Sequence, residues 1–297
     1  MSLSNNSINT TLSIIVVTFN SADHIRGCLE SIINNGFDHI QIIVVDNASV
    51  DDTRNICKAF QNINLIYNNN NMGFAKAVNI GIKVSTGQFV LLLNPDIVLP
   101  INCLKELVDI LVRQPQVGMI GSMLVQENGS IDLACRRNFP TTRDVFFRLL
   151  GIDKCFPKSK FFNHYNPTYV DMSLAGEVEC ISGAFMLVRR EAIQDVGLMD
   201  EAFFLYGEDV DWAFRFKLAN WKIYYYPTIK VLHYKRGSSK KNVDPKTICA
   251  FYDSAYLYYL KYLGPWNSRF VNILIRFTFN ARKYVALFRL KITKKWF

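Results

Sequence analysis

The first hundred residues alternate between two hydrophobic periodicities, and this alternation constrains the fold more than any other feature. Short apolar runs rich in β-branched residues, such as LSIIVVTF at 12–19, are typical of strands buried on both faces. A segment with helical spacing follows, in which Ile25, Leu29 and Ile32 recur after Ser21, the predicted N-cap. The further units are QIIVVD with DDTRNICKAF, NLIYN with GFAKAVNIGIKV, and QFVLLLN with INCLKELVDILVRQ. The pattern predicts an α/β protein with a mostly parallel sheet flanked by helices.

Polar side chains close the predicted strands. Thr18 and Asn20 follow the first strand, Asp46 closes the second, and Asn94 and Asp96 follow the fourth. In open α/β sheets, ligands bind at the carboxyl ends of the strands. The chain contains neither GxGxxG nor GxxxxGK[ST], which argues against an NAD-binding or P-loop enzyme. We therefore expect another kind of nucleotide ligand at this edge.

The second half of the chain is less regular. Residues 126–177 are basic and aromatic without a clear period, which predicts a long insertion at the mouth of a site. Strands are predicted at 178–190, 222–227 and 229–234, and a helix at 245–263. We interpret 1–244 as one nucleotide-binding and catalytic domain that carries this insertion, and 245–297 as a helical C-terminal segment.

Composition narrows the class of protein. The chain has 297 residues, half of them hydrophobic, and a net charge of +9. Its seven cysteines are scattered without a CxxC pair, which argues against a disulfide framework or a zinc site. The start, MSLSNNSINT, lacks the basic and apolar regions of a signal peptide, so a cytoplasmic protein is expected.

The positive charge is concentrated in the tail, since no Asp or Glu follows Asp253. Charged residues interrupt the apolar runs there, so no membrane-spanning helix is predicted. A basic amphipathic helix flanked by Trp266 and Trp296 suits the surface of an anionic membrane, on its cytoplasmic face. The alternative is a helix that packs on the catalytic domain. Binding to nucleic acid is not expected, because no recognised binding module accompanies the charges.

Three acids stand together in the aromatic stretch FLYGEDVDWAFR at 204–215, namely Glu208, Asp209 and Asp211. Desolvating carboxylates is costly unless a cation or a chemical task holds them, so this stretch predicts a site. The alternative is a solvated acidic helix start that the helix dipole favours. That alternative explains one acid better than three.

Seven segments, in this order and spacing, resemble the family 2 inverting glycosyltransferases of GT-A fold, in particular rhamnosyltransferase-like members that build surface polysaccharides. The segments are SIIVVTFN, VVDNAS, NMGFAKAVNIG, LLLNPD, CISGAFMLVRR, DEAFFLYGEDVDW and HYKRGSS. The resemblance covers roughly residues 12–240 and does not extend to the tail. It implies transfer of rhamnose or a similar sugar from a dTDP- or UDP-sugar to a polysaccharide or a lipid-linked glycan precursor.

The resemblance also implies where the donor binds. Base and ribose contacts are expected from Thr18, Asn20 and Asp46, although Asp46 can instead cap the following helix. Further donor contacts are expected from Gly73, Lys76, Asn94, Lys235 and Arg236. NPD, at 94–96, occupies the slot of the family's DXD motif with Asn94 in place of the first Asp. Asp96 and His233 are the expected ligands of Mg²⁺ or Mn²⁺, unless NPD is a simple turn and His233 is structural.

The catalytic base is expected in the acidic stretch. Asp209 matches the second acid of the family's ED pair, which deprotonates the acceptor hydroxyl, and Glu208 is the weaker candidate. Asp211 and Trp212 are expected to contact or orient substrate, or to brace Asp209 through an ion pair such as Asp211 with Arg215, four residues on. Two other functions stay open: a nucleotide-sugar pyrophosphorylase, which should carry a Gly-rich basic loop where this chain has NSAD, and a non-catalytic glycan or membrane assembly protein.

Overall fold

The computed structural model describes residues 12–234 and 244–293, and these form a mixed α/β fold with a central sheet flanked by helices. The described strands are β1 (Leu12–Thr18), β2 (Ile40–Asp46), β3 (Ile63–Tyr67), β4 (Phe89–Leu93), β5 (Ile97–Val98), β6 (Val117–Val125), β7 (Gly176–Val178), β8 (Phe185–Arg189) and β9 (Lys222–His233). The described helices are α1 (Ala22–Ile33), α2 (Thr53–Lys58), α3 (Phe74–Val84), α4 (Cys103–Arg113), α5 (Thr142–Leu150), α6 (Ile152–Cys155), α7 (Arg190–Val196), α8 (Glu208–Leu218), α9 (Pro245–Tyr258) and α10 (Arg269–Thr293). A π-helical turn, Tyr259–Leu263, follows α9.

The strand order is β3-β2-β1-β4-β8-β6-β9-β5, and β7 pairs with β9. The first four strands are mutually parallel, as predicted from the βα alternation. All residues of β1, β4 and β8 are buried, which confirms that the apolar runs of β1 and β4 mark strands covered on both faces. Strand β8 inserts antiparallel between β4 and β6, so the second half of the sheet is mixed.

Three details of the strand prediction are wrong. The segment 178–190 is not one strand, because the backbone of Cys180 turns away to pair with Arg137 before β8 begins. The two strands predicted at 222–234 are a single strand, β9, which shifts register opposite Ser122 and Met123. Strand β6 was not predicted, because its glycines weaken the strand pattern. At Gly121, the side chain of Ile181 occupies the position that a Cβ would take.

Helix α1 shows how the helices pack on the sheet. Ile25, Leu29 and Ile32 are buried together, as their spacing predicts. Ser21 occupies the N-cap position, but its side chain makes no capping hydrogen bond. Instead, the backbone N–H of Ala22 donates to Oδ2 of Asp51 at 3.0 Å, so a neighbouring loop satisfies the helix terminus.

The C-terminal helices pack against the rest of the protein. Tyr258, at the end of α9, belongs to the main hydrophobic core. Leu149 of α5, Tyr259, and Ile275 and Phe279 of α10 form a second, smaller core. One face of α10 is therefore packed, as the alternative interpretation of the tail expected.

A different face of α10 is exposed and apolar. Its residues recur at spacings of one, three, four or seven positions, and they are Phe270, Ile273, Leu274, Phe277, Tyr284, Val285, Phe288 and Ile292. Of the predicted tail features, Lys294, Lys295 and Trp296 lie outside the described residues. In the part of the chain that the structure describes, no helix combines the length and the apolar character that crossing a membrane requires.

Candidate active site

One cleft of about 1110 Å³ lies at the carboxyl ends of β1 and β4 and extends between the 126–177 segment and the C-terminal helices. It brings together most of the predicted site residues. Those that line it are Thr18, Asn20, Gly73, Asn94, Asp96, Glu208, Asp209 and His233. Asp96 and Asp209, which come from opposite halves of the chain, therefore share one cavity.

At the end of the cleft where a nucleotide is predicted to bind, hydrogen bonds join the loops after β1 and β2. Asn20 adopts a left-handed backbone conformation, with φ 51°. Its N–H donates to Oγ of Ser49 at 2.9 Å, and its side-chain Oδ1 accepts from the N–H of Val50 at 2.9 Å. Both strand ends are thus held in one rigid edge.

Asp46 is buried beneath these loops and bonds to the end of β1 and to the loop after β2. It is only 3% exposed. Its carboxylate accepts from Oγ1 of Thr18 at 3.1 Å and from Nε of Arg54 at 2.6 Å. Asp46 does not cap α2 directly, although Arg54 belongs to that helix. Asp46 does not line the cleft, and contact between Asp46 and the donor stays a prediction.

Gly73 lines the cleft, but a glycine is required at this position by its close contact with Phe204. A Cβ at this position would lie 2.5 Å from the carbonyl oxygen of Phe204, and φ is +88°. The close approach joins the start of α3 to the segment that precedes α8, where the N–H of Phe74 donates to Phe204 at 2.7 Å. Lys76 lies 3.9 Å from Glu201 in a partly exposed pair, and its contact with the donor stays a prediction.

Asp96 and His233 lie side by side, because β5 pairs with the end of β9. Nε2 of His233 is 3.4 Å from Oδ1 of Asp96, and Nδ1 is 3.1 Å from Oδ2 of Asp132. Burial lowers the pKa of His233, but the two carboxylates outweigh this effect and raise it to about 9. Asp132 was not predicted as a site residue.

Asp96 suits a divalent cation that takes its remaining ligands from substrate, whereas His233 can join it only as the neutral imidazole, after losing the proton that the two carboxylates stabilise. Oδ1 of Asp96 is buried and has no hydrogen-bond partner in the described structure. Mg²⁺ commonly uses one or two carboxylates, with substrate phosphates and water completing its shell. Within residues 12–234 and 244–293, no group of three His, Cys, Asp or Glu side chains has the arrangement of a metal site. Lys235 and Arg236, also predicted to contact the donor, lie outside the described residues.

Asp209 stands in the first turn of α8, and three donors hold its carboxylate: Arg137, Gly183 and the N–H of Val210, which donates to Oδ1 at 2.8 Å. Nη2 of Arg137 lies 2.6 Å from its Oδ2, and the N–H of Gly183 donates to the same oxygen at 3.1 Å. The side chains of Arg137 and Asp209 are 10% and 13% exposed. The carboxylate is therefore charge-compensated and fixed in orientation, while it still borders the cleft.

Arg137 is the main residue that sequence reasoning missed. Its guanidinium also donates to the carbonyl oxygens of Ala134 and Ile181, at 3.1 and 2.8 Å, and to the hydroxyl of Tyr165 at 3.0 Å. The 126–177 segment thus supplies a positioning residue for Asp209. No periodicity marks Arg137, which in the sequence is equivalent to its neighbour Arg136.

Glu208 differs from Asp209 in its surroundings. It is 6% exposed, and its Oε2 has no hydrogen-bond partner in the described structure. Burial, reinforced by the charge of Asp209, raises the pKa of Glu208 to about 8. Glu208 is therefore mostly protonated at neutral pH and is a poor general base, which supports the preference for Asp209.

Asp211 and Trp212 do not border the cleft, so the prediction that they contact substrate is corrected. Asp211 is fully buried, and it accepts from Nε of Arg215 at 2.9 Å, as the four-residue spacing predicts. It also accepts from Nζ of Lys261 at 2.5 Å and from the hydroxyl of Tyr262 at 2.6 Å. Trp212 is buried, with its indole N–H donating to Gly197 at 2.9 Å. Both residues anchor α8.

Comparison with known proteins identifies the family of the chain. Residues 13–197 match the family model described as Glycosyl transferase family 2. The chain belongs to glycosyl transferase family 2. This confirms the predicted family, and the protein is a glycosyltransferase.

Two curated relatives of this glycosyltransferase are rhamnosyltransferases. The N-acetylglucosaminyl-diphospho-decaprenol L-rhamnosyltransferase of Mycobacterium tuberculosis is 27% identical over 271 residues, which cover 86% of this chain and 87% of the relative. The rhamnosyltransferase WbbL of Escherichia coli is 27% identical over 257 residues, which cover 84% and 89%.

Solved structures agree with the predicted GT-A fold. Staphylococcus aureus TarS 1-349 superposes with a TM-score of 0.57 at 17% identity, over 93% of this chain and 72% of TarS. GalNAc-T7, solved with UDP, GalNAc and Mn²⁺, superposes with a TM-score of 0.59 at 16% identity, over 84% and 47% of the two chains. At these identities the likeness concerns the fold.

The buried acid Glu208 makes stability depend on pH. Its pKa rises on folding from 4.5 to about 8, so between these values the folded state binds more protons than the unfolded state and loses stability as pH increases. Below pH 4.5 the effect vanishes. We expect Glu208→Gln to gain stability relative to the wild type between pH 5 and pH 8.5, by roughly a few kcal/mol at the upper end. Thermal unfolding across this range measures the difference, and a difference independent of pH would contradict the assignment.

Removal of Arg137 should lower the rate of catalysis without lowering the affinity for the donor. We expect Arg137→Ala to lower kcat by about tenfold or more, since the general base loses its orientation, while donor binding changes little. Because breaking a buried ion pair costs about 3–5 kcal/mol, thermal unfolding is measured in parallel.

Matched variants separate orientation from general damage. Arg137→Lys should recover part of kcat, because it keeps the charge but not the full set of donors. Arg136→Ala is the control, since Arg136 donates to the carbonyl oxygens of Asp171 and Leu174 rather than to Asp209. An equal loss of kcat in the Arg136 and Arg137 variants would exclude a specific role for Arg137.

Proposed function

We propose that this glycosyltransferase transfers rhamnose or a similar hexose from a dTDP- or UDP-linked donor to a hydroxyl of a lipid-linked or polysaccharide glycan precursor. The observation that carries the proposal is the shared cleft, which both Asp96 and Asp209 border. The names of the two bacterial rhamnosyltransferases support the sugar and the acceptor class.

The reaction is a single in-line displacement with inversion. Asp209 accepts the proton of the acceptor hydroxyl as its oxygen attacks the anomeric carbon. The new bond joins that carbon to the acceptor oxygen, the bond to the donor's diphosphate breaks, and the nucleoside diphosphate leaves. Arg137 keeps the carboxylate in place during proton transfer. Glu208, protonated at neutral pH, can donate a hydrogen bond to a substrate oxygen from the same wall.

The departing diphosphate requires positive charge beside it. Asp96 and His233 are the residues that would hold Mg²⁺ or Mn²⁺, and the cation would neutralise charge on the phosphate oxygens. Asn94, in the same turn, offers an amide to the donor rather than a second carboxylate. The chain therefore supplies few ligands of its own, and we expect the metal and the donor to bind together.

Loss of the proposed base should lower the rate of transfer but leave donor binding unchanged. We expect Asp209→Asn to lower transfer by roughly 10²- to 10⁴-fold, because the amide cannot accept the proton. Donor binding, measured by thermal shift with nucleotide sugars, should stay close to that of the wild type. Retained turnover in Asp209→Asn would exclude Asp209 as the base.

Loss of the metal ligand should act on the donor instead. A thermal-shift screen of nucleotide sugars, with and without Mg²⁺ or Mn²⁺, identifies the donor through its metal-dependent stabilisation. We expect Asp96→Ala to abolish the metal-dependent part of that stabilisation, since the carboxylate that bridges protein and cation is gone. An unchanged metal dependence would show that another residue holds the cation.

We also propose that α10 lies on the cytoplasmic surface of an anionic membrane. Phe270, Phe277 and Phe288 are 74%, 70% and 65% exposed and belong to the apolar stripe of this helix. Trp266, just before α10, is 89% exposed. Arg276 and Lys291 belong to the same helix and suit anionic headgroups. An interfacial helix with these properties would keep the enzyme beside a lipid-linked acceptor.

The exposed stripe should determine membrane binding. We expect the full-length protein to float with liposomes that contain phosphatidylglycerol, and the double variant Phe277→Glu/Phe288→Glu to lose most of this binding. The matched control is Val50→Glu/Leu218→Glu, because these residues are also exposed, at 90% and 66%, but lie far from α10 in the sequence. Equal flotation of both double variants would contradict the proposal.

A further inference from the structure

His233 lies between two carboxylates, and each nitrogen of its imidazole ring faces one of them. Nε2 is 3.4 Å from Oδ1 of Asp96, and Nδ1 is 3.1 Å from Oδ2 of Asp132. The proposed function assigns Asp96 and His233 to a divalent cation and gives Asp132 no role. The surroundings of the two carboxylates indicate which of them can bind the cation and what the other one does.

The turn after β6 brings Asp132 to His233. The backbone N–H of Asp132 donates to the carbonyl oxygen of Leu124 at 2.8 Å, so the chain folds back onto the end of β6. Leu124 pairs with Val231 in the neighbouring strand β9, which ends at His233. The position of Asp132 therefore depends on the same strand pairing that places His233 in the cleft.

Both carboxylate oxygens of Asp132 already have partners. Oδ1 accepts from the N–H of Ala134 at 3.1 Å, and Oδ2 faces Nδ1 of His233. The side chain of Asp132 is 4% exposed, whereas that of Asp96 is 17% exposed. Oδ1 of Asp96 has no hydrogen-bond partner in the described structure. A cation is therefore expected at Asp96, and Asp132 acts on the ring of His233.

The position of the ring proton decides whether His233 can bind a cation. A neutral imidazole binds a metal through the nitrogen that carries no proton. A carboxylate accepts hydrogen bonds but does not donate them, so Oδ2 of Asp132 favours the tautomer with the proton on Nδ1. Nε2 then presents its lone pair on the side of Asp96. Histidines that bind metals almost always donate their other ring N–H to such a partner.

We propose that Asp132 is a positioning residue for the metal ligand His233, which keeps the ring proton on Nδ1 and holds Nε2 toward Asp96. The inference rests on the cation site of the proposed function and adds a residue that does not touch the cation. In a purely structural role, Asp132 would only fasten the turn after β6 to the end of β9. The two roles differ in what an isosteric substitution does to metal binding.

Asp132→Asn provides this isosteric substitution. Its amide oxygen can still accept from Ala134, which leaves the amide NH₂ group opposite Nδ1 of His233. Because NH₂ donates, it favours the tautomer with the proton on Nε2, and the cation loses this ligand. We expect the Kd of Mn²⁺ to rise by about tenfold to a hundredfold. EPR of unbound Mn²⁺ measures the Kd in the full-length protein with UDP or dTDP present, whichever nucleotide gives the larger thermal shift.

Pulsed EPR observes the nitrogen ligand itself, since a directly bound imidazole modulates the electron spin echo of Mn²⁺. We expect this nitrogen modulation in the wild type and its loss in His233→Ala and in Asp132→Asn. Thermal unfolding is measured in parallel. Asp132→Ser is the second variant, because its hydroxyl can still accept from Ala134 but is too short to hold the ring. We expect Asp132→Ser to weaken Mn²⁺ binding as well, and wild-type affinity in both Asp132 variants would overturn the inference.

Asp144→Asn is the matched control, because Asp144 lies in a similar arrangement in the same cleft. Its Oδ2 is 3.0 Å from Nδ1 of His164 and accepts from the backbone N–H of Thr141 at 2.9 Å. We expect Asp144→Asn to keep the Mn²⁺ affinity and the nitrogen modulation of the wild type. An equal loss in Asp144→Asn and Asp132→Asn would overturn the inference in favour of a general effect of removing a buried carboxylate from the cleft.

Two further results separate this inference from the proposed function. If the wild type binds Mn²⁺ and transfers sugar but shows no nitrogen modulation, the proposed function stands with Asp96 as the metal ligand, and the positioning role of Asp132 is overturned. If the wild type shows the modulation and Asp132→Asn loses it, but no nucleotide sugar supports transfer, the positioning role stands and the proposed function fails.

Discussion

The ion pair between Arg137 and Asp209 joins the irregular 126–177 segment to the first turn of α8. Both side chains are nearly buried, where an unpaired charge is costly, so each requires the other. The pair holds the carboxylate of Asp209, which still lines the cleft. The segment that holds Arg137 in place, through Ala134 and Tyr165, also lines the cleft.

The acidic stretch of α8 has three different environments within one turn. Asp209 is paired and borders the cleft, Glu208 is buried with a raised pKa, and Asp211 is enclosed by Arg215, Lys261 and Tyr262. The stretch predicted a site because three desolvated acids need an explanation, and two of them, Glu208 and Asp209, border the cleft. It did not reveal that each acid has a separate explanation, since this depends on residues that are distant in sequence.

The sequence predicts the features that have a local pattern and misses those that depend on contacts between distant residues. The strands of the first half are buried on both faces and carry their own apolar signal, so β1, β2 and β4 are recognisable. Their polar ends correctly indicated Thr18, Asn20, Asn94 and Asp96 as cleft residues. Strand β6 and the antiparallel insertion of β8 depend on pairing between remote segments. Arg137 contacts Asp209, and Asp132 contacts His233, only in the folded chain, and no local pattern distinguishes them from ordinary surface charges.

The bonds from Lys261 and Tyr262 to the buried carboxylate of Asp211 bear on how the chain can be divided. These two residues come after α9, in the π-helical turn, yet they satisfy a charge in the helix that carries Asp209. Any hybrid enzyme that exchanges C-terminal segments between relatives must therefore keep residues up to Leu263 with the catalytic half. A junction placed before α9 would separate Asp211 from two of its partners, whereas a junction after the π-helical turn exchanges α10 alone.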